Sequence, residues 1–149
     1  WKSVGMLLRM LIDGVSKGGN LLLNVGPTGR GEFDDRALST LEGIGEWMKR
    51  HSRAIYGCTA SDFTPPSDCR YTQNGNRLYL HIMTWPMKHL RLKGLADKVK
   101  YAQLLNDASE VFIRTDVHGE SADSGELILE FPIQAPNVEI PVVELFLKD

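Results

Sequence analysis

An uninterrupted apolar segment near the N-terminus constrains the fold of this chain more than any other feature. Residues 21 to 25 have the sequence Leu-Leu-Leu-Asn-Val, without the alternation of apolar and polar residues that a half-exposed strand shows. Continuous apolar strands are typical of parallel sheets, because both faces of such sheets are covered. Gly26 and Pro27 follow directly and end the strand. The segment is therefore predicted to be a buried parallel strand.

Amphipathic helices are predicted on both sides of this strand. Apolar residues recur at spacings of three and four from Val4 to Val15, and Gly18 can close that helix. A second stripe of the same spacing predicts a helix that extends to about Arg50 or His51, after Asp34 and Asp35. An acidic residue at a helix start accepts hydrogen bonds from free backbone N–H groups, so we assign this pair to capping rather than to catalysis. Helix, strand and helix form an α/β pattern.

The composition changes after Tyr56, and we place a domain boundary between residues 1–57 and 58–149. Residues 57–68 are rich in Thr, Ser and Pro, and no helical stripe follows them. Short strands separated by turn signals are typical of an antiparallel β-sandwich. The predicted strands are Leu78–Ile82, Leu90–Lys93, Val99–Leu105, Val111–Thr115, Glu126–Phe131 and Val142–Leu147.

Composition and residue spacing exclude several classes of function. The 149 residues are 42% hydrophobic and 24% charged with a net charge of -2, which gives no basic surface for nucleic acid. No stretch reaches the roughly 20 apolar residues of a membrane span. Cys58 and Cys69 are predicted to be free thiols, because two cysteines do not form a disulfide scaffold. The four histidines lack metal-ligand spacing and the loop 26–31 lacks a phosphate-binding motif, so neither metal nor cofactor is predicted.

The segment from Leu11 to Pro27 resembles, without gaps, the end of the catalytic domain of α-L-fucosidases (glycoside hydrolase family 29). Gly18-Gly19-Asn20 and the residues up to Pro27 are its most specific part. The resemblance is weakest between residues 107 and 136. Further matching segments are Trp1-Lys2-Ser3, Ile44–Met48, Ala54–Gly57, Leu78–Ile82, Trp85-Pro86 and Val143–Asp149.

The resemblance implies both a fold and an activity. Members of this family are retaining exo-glycosidases that release L-fucose from glycans, with a TIM-type barrel followed by a C-terminal β-sandwich. Residues 21–25 and 34–51 would then be the last strand and helix of the barrel, so the expected fold class is an α/β barrel remnant followed by an all-β antiparallel sandwich. The implied partners are the missing N-terminal barrel segments and, through the complete enzyme, a fucosylated glycan. Family members are often secreted, periplasmic or lysosomal, and no signal peptide is recognisable here.

Retaining hydrolysis needs two carboxyl groups about 5 Å apart at one barrel mouth. The family's motifs for the aspartate nucleophile and the glutamate acid/base match no position of this chain, so no catalytic residue is predicted. We expect the chain alone to be inactive, and we expect it to associate because a barrel strand without neighbours has bare edges.

Four residues at the end of the predicted barrel strand are candidates for substrate binding. Asn24, Gly26, Pro27 and Thr28 follow the strand at the end where barrels hold their active sites. The alternative interpretation is that Asn24 bonds to neighbouring backbone while Gly26 and Pro27 only shape the turn. For the sandwich, the alternatives are a carbohydrate-binding module, which would need exposed aromatics, and a purely structural domain. Trp85 and Tyr79 are predicted to lie in the sandwich core.

Overall fold

The computed structural model describes residues 2–21, 31 and 34–149. Within these residues, two α-helices, α1 and α2, precede a 3-10 turn and nine strands, β1 to β9. The predicted strand at 21–25 lies outside the described residues from position 22 onward, so the barrel-remnant part of the fold class stays a prediction. The helical elements are α1 (Val4–Ser16), α2 (Asp35–His51) and the 3-10 turn Ser52–Ala54. The strands are β1 (Cys69–Asn74), β2 (Arg77–Ile82), β3 (His89–Lys93), β4 (Val99–Leu104), β5 (Phe112–Arg114), β6 (Asp116–Val117), β7 (Glu120–Ser121), β8 (Glu126–Glu130) and β9 (Val142–Leu147).

Side-chain caps begin both helices. The backbone N–H of Met6 donates to Ser3 Oγ at 3.2 Å, and that of Ala37 donates to Asp34 Oδ1 at 2.8 Å. The predicted capping role of Asp34 is confirmed, and Asp35 occupies the first turn, where its charge favours the helix dipole. After α1, Gly18 adopts a positive φ of 84°, which a glycine accepts without steric cost.

The strands form two main sheets in which every pairing is antiparallel. The four-stranded sheet has the order β1-β2-β9-β4, and the three-stranded sheet has the order β3-β8-β5. A small hairpin of β6 and β7 joins β5 to β8. All six predicted strands are present with small differences at their ends, whereas β1 and the hairpin were not predicted.

A hydrophobic core fills the space between the two sheets. Alternate residues of the central strands point into it, including Leu78 and Leu80 of β2 and Val143 and Leu145 of β9. Leu129 of β8 faces them from the smaller sheet and is fully buried. Trp85 packs against this core as predicted.

The opposite face of the four-stranded sheet is covered by the helices. Leu8 and Ile12 of α1 and Trp47 of α2 pack there against Tyr79 and Val142. Tyr79 therefore lies on the helix-facing side of β2 and not in the sandwich core, because successive strand residues point to opposite faces. The strands β2 and β9 are consequently buried on both sides, which explains why neither alternates between buried and exposed residues.

The two helices approach each other at Gly43. A Cβ atom at this position would lie 2.6 Å from Val4 Cγ2, so only glycine fits there without movement. In the described part of the chain, no helix combines the length and the apolar character needed to cross a membrane. Cys58 and Cys69 are both free, as predicted.

Candidate functional site

The four predicted substrate-binding residues, Asn24, Gly26, Pro27 and Thr28, lie outside the described residues. The structure therefore does not place them. A hydrogen-bonded network of mostly buried polar groups lies elsewhere in the described part, between the helices and the four-stranded sheet. We call this arrangement the helix–sheet junction and define it by Arg53, Thr72, Tyr79, His81 and Glu144.

Glu144 of β9 is the centre of the helix–sheet junction. Arg53, from the turn after α2, donates from Nη2 to Oε1 at 2.7 Å and from Nε to Oε2 at 3.0 Å. The Tyr79 hydroxyl donates to Oε2 at 3.0 Å, and Gln103 Nε2 donates to Oε1 at 2.8 Å. Both carboxylate oxygens are thus satisfied although Glu144 is only 3% exposed.

Electrostatics keep this group of residues in one protonation state. Burial by itself would raise the pKa of Glu144, but the hydrogen bonds from Arg53 and Gln103 outweigh it and the pKa is lowered. Burial together with the neighbouring Glu144 carboxylate raises the pKa of Tyr79. Glu144 is therefore ionised and Tyr79 is neutral at physiological pH, which is the combination that the hydrogen bonds require.

A second part of the helix–sheet junction consists of Thr72 and His81. The Thr72 hydroxyl donates to the carbonyl of Ala54 at 2.6 Å and lies 2.9 Å from His81 Nε2. Because a hydroxyl has one proton, Thr72 accepts from His81, which assigns the proton of the neutral imidazole to Nε2. Burial first, and then the proximity of His51, lower the pKa of His81 to about 3. His81 is therefore a neutral structural histidine.

His51 ends α2 beside this pair and is equally buried. Its Nδ1 lies 2.7 Å from the carbonyl of Trp47, so Nδ1 is the protonated nitrogen. Its ring stacks on the indole of Trp47 with a centroid distance of 4.6 Å. Burial is the main cause that lowers the pKa of His51, followed by repulsion from Arg50.

The carboxyl groups of the described residues do not resemble a glycosidase pair. A general acid needs a raised pKa, whereas every described carboxyl group with a shifted pKa is shifted downward. Asp13 is paired with Arg70 at 2.6 Å, and Glu130 with Arg114 at 2.7 Å. No three His, Cys, Asp or Glu side chains come together as a metal site within the described ranges. Asp13 and Glu130 thus serve as ion-pair partners, and the absence of catalytic carboxylates from this chain stays a prediction.

Trp85, Tyr56 and Phe112 lie on different segments of the described chain. Trp85 is half-buried, donates from Nε1 to the carbonyl of Pro132 at 3.0 Å and meets Phe131 edge to face. Tyr56 is exposed after the 3-10 turn, and Phe112 is exposed on β5 of the other sheet. A further aromatic pair, Tyr101 of β4 and Phe146 of β9, meets edge to face at 5.5 Å, with the Arg77 guanidinium 4.0 Å from the Phe146 ring. The carbohydrate-binding alternative stays a prediction.

The helix–sheet junction was not predicted from the sequence, although one signal for it exists. Glu144 interrupts the apolar segment Val142-Val143-Glu144-Leu145-Phe146 of a strand. A charged residue inside such a strand needs a partner of opposite charge or hydrogen-bond donors, because an unpaired buried charge is costly. Its partner Arg53 is 91 positions away, so spacing along the chain does not identify it.

Comparison with known proteins gives one consistent family. The family model for α-L-fucosidase matches residues 1–53. The α-L-fucosidase of Branchiostoma floridae is 34% identical over 83 residues, covering 54% of this chain and 18% of its own length. The tissue α-L-fucosidase of Bos taurus is 27% identical over 136 residues, covering 91% of this chain and 28% of its own length.

Solved structures match the whole chain. The α-L-fucosidase isoenzyme 1 of Paenibacillus thiaminolyticus is similar with a TM-score of 0.92 and 40% identity, over 100% of this chain and 35% of its own. An α-L-fucosidase of family GH29 from Bacteroides thetaiotaomicron has the same fold, with a TM-score of 0.85 and 23% identity over 99% of this chain. The chain thus spans about a third or less of the length of these relatives.

Proposed function

Because this chain is a member of the α-L-fucosidase family, glycoside hydrolase family 29, and corresponds to the C-terminal part of its relatives, we propose that it completes a retaining exo-glycosidase that releases terminal L-fucose from glycans. In this proposal residues 1–57 close the catalytic barrel and residues 58–149 brace it, while the catalytic carboxylates belong to the part of the enzyme that precedes them. The observation that carries the proposal is the match over the whole chain to a fucosidase at 40% identity and a TM-score of 0.92.

The helix–sheet junction supports the bracing role. Arg53 follows α2 and Glu144 lies on β9, so the ion pair joins the predicted barrel part directly to the sandwich. Trp47 Nε1 adds a hydrogen bond of 2.9 Å to the carbonyl of Ile140. Directional bonds of this kind fix the orientation of two packed layers in addition to their apolar contact. The sandwich would thereby hold the last barrel helix at a defined angle.

Asn24, Gly26, Pro27 and Thr28 remain our candidates for lining the sugar pocket of the complete enzyme. Their position after the predicted last barrel strand is the reason, since barrel active sites lie at that end of the strands. In an active enzyme that contains this chain, Asn24→Ala would then raise KM for a fucoside. An unchanged KM together with a lower melting temperature would instead assign Asn24 to turn structure.

The proposal is tested by replacing the matched third of the P. thiaminolyticus enzyme with these 149 residues. We expect this fusion to release nitrophenol from a nitrophenyl α-L-fucoside, and we expect the 149-residue chain alone to release none. A folded fusion without activity would contradict the proposal, and so would hydrolysis by the chain alone. Unmodified P. thiaminolyticus enzyme serves as the control.

A further inference from the structure

One side of the four-stranded sheet ends in a row of four residues, one from each strand. The register pairs Asn74 with Arg77, Arg77 with Phe146, and Phe146 with Tyr101. Phe146 follows Glu144 by two positions on β9, so the row lies on the helix-facing side of the sheet. Arg77, Phe146 and Tyr101 are partly buried and Asn74 is exposed. We call these four residues the end row, and in the described part of the chain solvent reaches it.

Three side chains of the end row hold one another in place. The Tyr101 ring meets the Phe146 ring edge to face, with 5.5 Å between the ring centroids. The Arg77 guanidinium lies 4.0 Å from the centroid of the Phe146 ring, which is a cation–π contact. Arg77 Nη1 donates to the amide oxygen of Asn76 at 3.1 Å. Because a guanidinium has five N–H donors in a rigid fork, Nε and Nη2 of Arg77 remain available for a further acceptor.

The positive charge of Arg77 is not neutralised by a carboxylate of the described residues. The other three arginines on described strands are each paired, Arg70 with Asp13 at 2.6 Å, Arg91 with Glu126 at 3.6 Å and Arg114 with Glu130 at 2.7 Å. Glu144 lies one row further along the same side of the sheet, but both of its oxygens already accept hydrogen bonds from other side chains. An accessible cation that is fixed on an aromatic ring favours an anionic ligand.

We propose that the end row binds an acidic sugar unit of a glycan, one that carries a carboxylate. The carboxylate would pair with Arg77 through two parallel N–H···O bonds, a geometry that the guanidinium fork matches. The apolar C–H face of the sugar ring would lie against the rings of Tyr101 and Phe146. Four strands at a spacing of about 4.8 Å make the row roughly 14 Å long, which leaves room for neighbouring sugar units. The choice of a glycan as the ligand rests on the proposed function.

The smaller sheet contains a similar pair that should not bind such a ligand. The Arg114 guanidinium lies 5.2 Å from the centroid of the Phe112 ring, on β5. Glu130 Oε2 accepts from Arg114 Nη2 at 2.7 Å and from its Nε at 3.1 Å. The two sites share an arginine and a phenylalanine and differ in the carboxylate that occupies the guanidinium. Arg114→Gln is therefore the matched control for Arg77→Gln.

Isothermal titration calorimetry tests the proposal on the 149-residue chain and on the fusion enzyme. The probes are trigalacturonate, which carries uronic acid, and sialyllactose, which carries sialic acid, each compared with its uncharged methyl ester. We expect at least one of the acids to bind saturably, and its ester to bind roughly tenfold more weakly because the charge-assisted bonds to Arg77 are lost. The acid that binds identifies the class of sugar. Added salt should weaken its binding.

Arg77→Gln should weaken binding of that acid roughly tenfold, whereas Arg114→Gln should leave it unchanged. Arg77→Lys retains the charge without the planar fork and should show an intermediate loss. Circular dichroism establishes that each variant is folded. If Arg77→Gln does not fold, the comparison of acid with ester and the Arg77→Lys variant decide the question.

The proposal would be overturned if neither acid bound, if acid and ester bound equally, or if a folded Arg77→Gln variant kept the parent affinity. Binding by the chain that is absent from the fusion would also overturn it, since the end row would then be covered in the enzyme. Fucoside hydrolysis is recorded separately. An inactive fusion that binds the acid through Arg77 would refute the proposed function and leave the end row as a binding site, and an active fusion that binds neither acid would do the reverse.

Discussion

Glu144 is a charged residue whose burial depends on three partners at once. Arg53, Tyr79 and Gln103 together satisfy both carboxylate oxygens, and Glu144 itself is 3% exposed. Replacing Glu144 by glutamine keeps the shape of the side chain but removes its charge. The Arg53 guanidinium then loses its counter-ion, and the new amide N–H₂ group points at groups that themselves donate hydrogen bonds. The cost therefore comes from unsatisfied polar groups and not from lost packing.

The substitution Glu144→Gln should lower the free energy of unfolding by about 1–3 kcal/mol, the range for leaving buried hydrogen-bonding groups unsatisfied, because the Arg53 side chain is itself 57% exposed and only the Glu144 end of the pair is buried. Urea denaturation followed by circular dichroism measures this change. Glu130→Gln is the matched control, because Glu130 pairs with Arg114 at the surface, and its effect should be small. Equal losses in the two variants would show that the Glu144 network adds nothing specific.

His81 makes stability depend on pH. Its pKa is lowered from 6.5 to about 3 in the folded chain, so below pH 6.5 the unfolded chain binds a proton that the folded chain does not. The free energy of unfolding is therefore unaffected by His81 above pH 6.5, and it decreases as the pH falls from 6.5 toward 3. Between pH 7 and pH 5, His81 alone should lower the free energy of unfolding by about 2 kcal/mol.

Urea midpoints at pH 7 and pH 5 test this dependence in the parent chain and in His81→Gln. The variant keeps a side-chain donor for Thr72 but does not titrate, so it should lose part of the pH dependence even if it is less stable at both values. The choice of pH 5 as the lower value keeps Glu144 ionised, because the pKa of that group lies below 4.5. Identical pH dependence in parent and variant would contradict the role of His81.

At the scale of elements, the contact between α1 and α2 depends on Gly43, which has no side chain. An added Cβ at Gly43 would lie 2.6 Å from Val4 Cγ2, and Val4 is β-branched and unable to turn away easily. Gly43→Ala should therefore lower the free energy of unfolding by about 1–2 kcal/mol, since overpacking exceeds the gain in helix propensity. Gly45→Ala on the same helix has open space and should raise it by about 0.5–1 kcal/mol. Thermal melts of both variants would contradict this account if the two shifts had the same sign.

The sequence predicted those elements whose causes are local. Residues within four positions of each other determine the stripes of α1 and α2 and the cap at Asp34, and turn signals between short segments indicated most strands. Strand β1 was not predicted, because Arg70 and Thr72 place polar groups on its helix-facing side. Asp13 and the carbonyl of Ala54 form hydrogen bonds with these groups. Such contacts join positions that are distant in sequence. For the same reason the helix–sheet junction was not predicted, and the substrate-binding role of residues 24, 26, 27 and 28 stays a prediction.

At the scale of the whole molecule, the exposed apolar residues of the two helices should make the isolated chain associate. Met6, Met10 and Leu38 are 53%, 41% and 42% exposed, and burying them against a partner would remove apolar area from water. Sedimentation velocity of the 149-residue chain should show mass that increases with concentration, and Met10→Glu should shift the chain toward monomer. Met87→Glu should leave the association unchanged. A parent chain that is monomeric at all concentrations would argue against this surface as a contact site.

The burial of β2 and β9 on both faces has a consequence for how fucosidase domains can be exchanged. A recombination point at Gly57 looks natural in the sequence, yet it would leave Arg53 with one parent and Glu144 with the other. Tyr79, His81 and Val142 would then pack against helices from the other parent, and Glu144 would face the residue that this parent has in place of Arg53. Functional hybrids should therefore inherit the two helices and both sheets from the same ancestor, with the crossover placed ahead of α1.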